Sequence, residues 1–332
     1  MLAAMSTRAW LSFALSVPFA CSCAADPGAD SDTDASVGTS GATSGGTTSG
    51  TTDDPTGDSD ASGGTTGGEG HTVAEFGGTF TVIGTAKDGL NVVRDLEFNP
   101  GAPEQLWTFN MLSHGTVIFF DPGTEQQTSE ERIDAYGQHF MAYVSSAAFG
   151  DNGNFATCQE SRNEWNVGPQ KPDDFMGPSL WPSDLDVFAR VGQEFPPGAQ
   201  EGSHLDMLHQ SPLCMGIAHG TENGYWVTDG LHGHVVFYDF KVDHGFGGTD
   251  HSDGLARRYV EAEFSRLPNV PSHMALDAAT GWLYYADTGE SAVKRLDVSS
   301  GHRARALKPE GERLVEFSEM QGVTVETFVD TG

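Results

Sequence analysis

From Val73 onward, apolar positions come in short alternating runs, broken every few residues by Gly, Asp, Asn or Pro. The 3.6-residue spacing of an amphipathic helix is almost absent, so the pattern predicts short strands joined by tight turns. The clearest stretch runs from Cys214, CMGIAHGTENGYWVTDGLHGHVVFYDF, and its layout returns from His273 as HMALDAATGWLYYADTGESAVKRLDV. Each copy is an apolar run, a Gly-containing turn, an aromatic run closing on Asp (Asp229, Asp287), a second turn, and an alternating strand closing on Asp (Asp239, Asp297). A single supersecondary unit is being used again.

Looser copies precede these. VVRDLEFNPGAPEQLWTFNMLSHGTVIFFDPG, from Val92, predicts strands over Leu96–Asn99, Leu106–Asn110 and Thr116–Asp121. AYVSSAAFGDNGNFATCQES predicts Ser145–Gly150 and Asn154–Gln159, with the third strand displaced by an insertion to LDVFARV, from Leu185. Tyr259–Ser265 and Arg313–Glu319 read as outer strands. Antiparallel strands in repeated groups, each group two-faced and too small to fold alone, predict an all-β protein of the β-propeller class.

Pro271 to Gly289, PSHMALDAATGWLYYADTG, and more loosely Pro212 to Gly230, resemble the characteristic stretch of NHL-repeat propellers. The resemblance covers residues 90–330 in scattered blocks and implies architecture rather than activity. Propellers of that type commonly have about six blades. Four are recognisable here, so the expectation is a truncated or interrupted six-bladed propeller rather than a complete four-bladed one. The closing VETFVDTG reads as an outer strand ahead of another blade, and Gly77–Thr85 (GGTFTVIGT) as a closing outer strand.

Composition divides the chain. Residues 1–20 carry one basic residue, Arg8, then an apolar run too short to span a bilayer comfortably, the layout of a secretory signal peptide. Ala20-Cys21 resembles the lipobox of bacterial lipoproteins, with Pro18 where an aliphatic residue is usual and Cys23 as a competing site. That resemblance implies lipidation of Cys21 and a membrane partner through the lipid; the alternative is a soluble secreted or periplasmic protein. Residues 21–72 form a Gly/Ser/Thr/Asp-rich stretch without Lys or Arg, which cannot bury enough apolar surface to offset its ordering entropy and reads as a disordered tether. The propeller domain is then residues 73–332, with an insertion at about 160–184.

With 47 acidic against 17 basic residues, the net charge is −30. A phosphate backbone would be repelled, which excludes nucleic acid as the expected partner. Of the four cysteines, Cys158 and Cys214 remain in the head. A disulfide between them is allowed in an oxidising compartment, two buried thiols being the alternative.

Eight of the twelve histidines fall between His204 and His273. GSHLDMLHQSPLCMG offers His204, Asp206, His209 and Cys214, and VDHGFGGTDHSDG offers Asp243, His244, Asp250, His251 and Asp253 on a Gly-rich loop. His273 opens an inner strand, where the amidating lyases of peptide hydroxyglycines place zinc-binding histidines. Imidazole suits Zn, and carboxylate suits Ca. The expected metal ligands are therefore His204, His209, Asp243, His244, Asp250, His251 and His273, for a divalent ion, Zn or Ca. Against this, an Asp-His string on a Gly-rich loop also describes a solvated turn in which Asp bonds its own backbone. No HExxH, paired CxxC, EF-hand, Walker or nucleophile-elbow pattern occurs. The insertion from Cys158 brings Arg162, Glu164, Trp165, Phe175 and Trp181, a mixture suited either to a binding surface or to a cap on one end of the propeller. Two functions follow as expectations. The first is an exported, cell-surface binding module for a protein, peptide or glycan. The second is a metal-dependent hydrolase or lyase with His204, His209, His244 and His273 as ligands and Asp243 or Asp250 as base.

Overall fold

A computed structural model describes residues 81–112, 115–163, 168, 170–191, 202–248 and 250–332. The expected signal peptide, Cys21, the tether, Glu164 and Trp165 lie outside the described residues. Four antiparallel blades follow one another along the chain. Blade 1 is β1 (Val93–Phe98), β2 (Gln105–Asn110), β3 (Gly115–Phe120) and β4 (Thr128–Ile133). Blade 2 is β5 (Val144–Phe149), β6 (Asn154–Gln159), β7 (Ser179–Pro182) and β8 (Asp206–Met207). Blade 3 is β9 (Ile217–Thr221), β10 (Gly224–Asp229), β11 (His234–Asp239) and β12 (Leu255–Glu263). Blade 4 opens with β13 (Met274–Asp277), β14 (Trp282–Asp287) and β15 (Ala292–Asp297). The chain then returns to blade 3 through β16 (His302–Ala306) and β17 (Glu316–Gln321), with β17 parallel to β12, before β18 (Val325–Asp330) closes blade 4 beside β15. The protein is a β-propeller with four blades among the described residues, and its repeat resembles the NHL type.

The repeated aspartates explain why the two clearest copies fold alike. Asp229 and Asp287 each end the second strand of a blade and are fully buried. Asp229 Oδ1 accepts from the Leu231 and His232 amides, and its Oδ2 pairs with Arg258 at 3.1 Å. Asp287 Oδ1 accepts from the Ser265 amide, tying blade 4 to the strand end of blade 3, and its Oδ2 pairs with Lys294 at 2.6 Å. Each buried charge is thereby partnered and hydrogen-bonded, the condition for keeping it inside. Asp239 and Asp297 cap the next turn instead, accepting from the Lys241 and Ser299 amides two residues on. Gly216, in the first copy, has no room for a side chain, since a Cβ there would sit 1.8 Å from the Ser272 carbonyl oxygen.

Aromatic and aliphatic side chains fill the space between consecutive blades. Trp107 and Phe109 of blade 1 meet Phe149, Phe155 and Trp181 of blade 2, with Trp107 edge-on to Phe149 and Phe155 at 5.4 and 5.3 Å. Ala156, Leu180, Tyr225, Val227 and Tyr238 lie between blades 2 and 3. Trp226, Val235, Leu283 and Tyr285 lie between blades 3 and 4. On the far sides of the first and last blades, Leu96, Phe98 and Phe328 stay exposed.

Four expectations are corrected. LDVFARV is not the third strand of blade 2: β7 takes that place, inside the stretch expected as an insertion. Asp184 turns the chain by accepting from the Asp186 amide, and Phe188 drops into the seam against Trp107 and Trp181. Arg132 holds that turn by donating to the Leu185 and Phe188 carbonyls. The expected outer strand Tyr259–Ser265 begins earlier, at Leu255, and the one expected at Arg313–Glu319 runs from Glu316 and joins blade 3. The closing strand over Gly77–Thr85 is not formed at 81–85; residues 77–80 lie outside the described residues.

Cys158, at the end of β6, is disulfide-bonded to Cys214, just before β9, with Cα atoms 5.6 Å apart. The bridge closes 56 residues, including β7, β8 and the histidine-rich segment before β9. A loop of that length restricts the unfolded chain by about 4 kcal/mol. The double variant Cys158→Ala, Cys214→Ala is expected to lose about 4 kcal/mol of unfolding free energy in denaturant titration, and reductant to have no further effect on it.

Candidate functional site

Two groups of polar side chains stand out from this scaffold. The first lies where the leading strands β1, β5, β9 and β13 come together. Glu160, at the end of β6, pairs with Arg94 of blade 1 at 3.0 Å and with Arg266, and accepts from the Asn269 amide at 3.0 Å. Asp95 accepts from Ser146 Oγ at 2.7 Å and from the Ala147 amide at 2.8 Å, while Glu97 accepts from the Phe149 amide at 3.0 Å. The carboxylates of β1 thus satisfy amides of β5 that no strand pairs. His273 joins this group, with Nδ1 3.5 Å from Asp95 and 3.2 Å from Ser146 Oγ. Serine and aspartate both address the same ring nitrogen, which is not the relay of a nucleophilic triad. Burial, and after it the Asp95 charge, pushes Glu97 up to about 8.

The second group is peripheral. It joins β8, the outer strand of blade 2, to the loop between β11 and β12 of blade 3. His204 positions that loop: its carbonyl accepts from the Gly247 amide at 2.7 Å, and its ring Nε2 lies 3.1 Å from the Gly248 carbonyl. The ring itself is buried against Phe140 and Trp181. Two residues on, Asp206 is fully buried. Its Oδ1 takes the Met207 amide and His251 Nδ1, and its Oδ2 has no hydrogen-bond partner. One ligand atom each from Asp206, His244 and Asp253 lie within 4.8 Å of one another. His244 Nε2 is 2.7 Å from Asp253 Oδ1, and Asp253 Oδ2 accepts from the Val242 amide. Burial pushes the Asp206 carboxyl up to about 8, against the Met207 amide and His244, which favour its charge. For His244, burial works downward, but the Asp253 hydrogen bond and the Asp206 and Asp253 charges outweigh it and leave its pKa raised. A buried carboxylate with an unserved oxygen, facing an imidazole and a second carboxylate, suits a divalent cation.

Next to this group opens a cavity of about 500 Å³, with Met207, His209, His251 and Glu312 on its wall. Burial pushes Glu312 up to about 8 and drives His209 well below the usual histidine range.

Of the seven residues predicted as ligands, only His244 belongs to the three-donor group among the described residues. His251 stands behind it, on Asp206, and His204 holds the loop. His209 stacks on Phe175 at 3.5 Å. His273 sits with Asp95 and Ser146. Asp243 and Asp250 make the local turns foreseen as the alternative, accepting from the Gly245 and Ser252 amides. Asp206 and Asp253 lay within the two strings singled out, but the predicted ligand set left both out. The alternation in His204-Leu205-Asp206 was a usable signal, because it puts His204 and Asp206 on one side of an extended chain.

No model of a known protein family matches the chain, and no characterised protein matches it by sequence. Among solved structures it is similar to an auxiliary nutrient binding protein from Bacteroides ovatus, with 14% identity and a TM-score of 0.38 over 62% of this chain and 38% of that one. It is also similar to virginiamycin B lyase from Staphylococcus aureus, at 12% identity and a TM-score of 0.33 over 61% and 52% of the two chains. A third is the calcium-binding protein regucalcin from Agrobacterium tumefaciens, at 13% and 0.30 over 65% and 74%. The chain spans well under half the length of the nutrient binding protein. Binding proteins and enzymes both occur among these structures.

Glu97 gives this region a pH signature. Its pKa is raised on folding, so its contribution is fully present below the ordinary glutamate pKa and is lost as pH rises towards about 8. Between pH 7 and 9 the wild-type protein is expected to lose about 1 kcal/mol through this residue. Glu97→Gln is expected to remove that share of the loss, while Asp206 and Glu312, also raised to about 8, keep theirs, read from denaturant midpoints at each pH.

Proposed function

We propose that the protein is an exported binding module that displays its propeller at the cell surface and holds a divalent cation between blades 2 and 3. The observation that carries this reading is the convergence of Asp206, His244 and Asp253, one ligand atom of each within 4.8 Å of the others, beside a buried Asp206 carboxyl with one oxygen that has no hydrogen-bond partner. The donors come from two blades, so the ion would cross-link them as well as present open coordination positions to a ligand. One imidazole among three donors favours Zn²⁺ over Ca²⁺, which takes about 6–8 oxygen ligands. His251, bonded to Asp206 from behind, has the place of an outer partner that orients a ligating carboxylate. Export is supported by the signal-like residues 1–20 and by the Cys158–Cys214 disulfide, which suits an oxidising compartment. The net charge of −30 favours a protein, peptide or glycan as ligand over nucleic acid.

The purified, chelator-stripped protein is expected to take up one equivalent of Zn²⁺ in titration calorimetry and to unfold at higher temperature with it than with Ca²⁺. His244→Ala and Asp253→Asn should each remove that gain. Asp206→Asn should remove it too, while leaving the metal-free protein at least as stable, because it relieves a buried carboxyl. Zn²⁺ uptake that none of these changes affects would place the ion elsewhere and overturn the reading.

A further inference from the structure

The cavity beside the cation group has a chemistry of its own. Its wall is assembled from four distant pieces of chain: Phe175 of the insertion, Met207 and His209 at and after β8, Asp250 to Ser252 before β12, and Gly311 to Arg313 just before β17. Gln210 binds the last piece in place, its side chain donating to the Glu310 carbonyl and accepting from the Glu310 amide, at 2.8 and 2.9 Å. Gly311 lets it lie close, since a Cβ there would come within 2.4 Å of the Phe175 ring. Phe175 in turn stacks on His209, which is only 2% exposed.

Two buried atoms of residues on that wall lack protein partners. Glu312 uses Oε1 for the His209 amide and the Gln210 side chain, at 3.1 and 3.0 Å, and its Oε2 has none. Burial drives the His209 ring well below the usual histidine range, and its Nδ1 is the other unserved atom, a lone-pair acceptor in the tautomer that carries its proton on Nε2. Leaving a polar group buried and unpaired is unfavourable, so both atoms favour a partner that can donate to them. A hydroxyl, with a single proton to donate, serves only one of two acceptors, whereas an ammonium has three N–H bonds to offer. A bound ammonium offsets the burial that holds the Glu312 pKa at about 8 and so ionises the carboxyl; Asp250 also lines the cavity, and Arg313, on the same wall, is exposed.

We propose that this cavity binds a protonated primary amine, such as an amino sugar or the side chain of a basic peptide, with Glu312 Oε2 and His209 Nδ1 as its acceptors. This names the ligand class of the binding module proposed above and rests on that reading, although it does not require the cation. The volume of about 500 Å³ admits a single sugar residue or side chain rather than a polymer.

Titration calorimetry of the full chain with glucosamine and with lysine, against glucose and acetate as controls, tests it. Glucosamine and lysine should bind and glucose and acetate should not. Glu312→Gln, which keeps the shape and the Oε1 acceptor, should weaken both amines by roughly tenfold or more, with an unchanged unfolding midpoint showing that the wall is intact. Arg313→Ala should leave amine binding unchanged or tighter, whereas a site for anions would weaken. Equal binding of glucose and glucosamine, or amine binding indifferent to Glu312→Gln, would overturn the proposal. Zn²⁺ binding with no amine binding would overturn it too, water alone then serving the two atoms, and would leave the cation-holding module standing. Failure of every titration, Zn²⁺ included, would remove both.

Discussion

A small sheet that is apolar on both faces cannot stand in water, and most other features of this protein answer to that constraint. Trp107, Phe149, Phe155, Phe188 and Trp181 are wholly or nearly buried because two blades close on them together. Offset and edge-on ring pairs of this kind contribute about 0.5–1.5 kcal/mol each beyond the area they bury. The seam also recruits chain that is not strand. Phe188 reaches it from a turn, held by Arg132 across the blade boundary. Near the axis the same problem appears in polar form, because the leading strands have amides without strand partners. Asp95 and Glu97 answer it from blade 1, and Glu160 gathers Arg94 and Arg266 from either side.

The candidate site lies away from that axis. Outer strands see fewer neighbours, so the chain between them is free to vary, and there the segment before β9 meets the loop between β11 and β12. Asp206 is the exception to peripheral solvation. It is on a strand of only two residues, yet it is fully buried, because His204 beside it anchors the incoming loop over it. An acidic protein has thus placed one more carboxylate where water cannot reach and left one of its oxygens unserved.

The sequence was most informative where local and global preferences agree. The strands β10, β11, β14 and β15 were readable because each is an aromatic or alternating run, set off by a Gly-containing turn and closing on an aspartate. The β7 strand was not, since Ser179–Pro182 is short, ends in proline, and forms because β6 offers it an edge. The parallel pairing of β17 with β12 depends on a return across blades that no local pattern encodes. The site was half legible for a similar reason. Composition drew attention to the two segments that carry Asp206, His244 and Asp253, but ligand geometry depends on which side chains point across a gap. Histidine density favoured His204 and His209, whose rings the fold uses for packing, over Asp206 and Asp253.

The covalent link between β6 and the start of β9 bears on more than stability. Every residue from 159 to 213 lies within the loop it closes, Asp206 among them, while His244 and Asp253 lie beyond it. A protease that cuts once inside that loop produces two polypeptides but not two molecules. The halves stay joined through Cys158 and Cys214, and donors on opposite sides of the cut stay in one particle. The bridge makes chain cleavage and loss of the candidate site separable events.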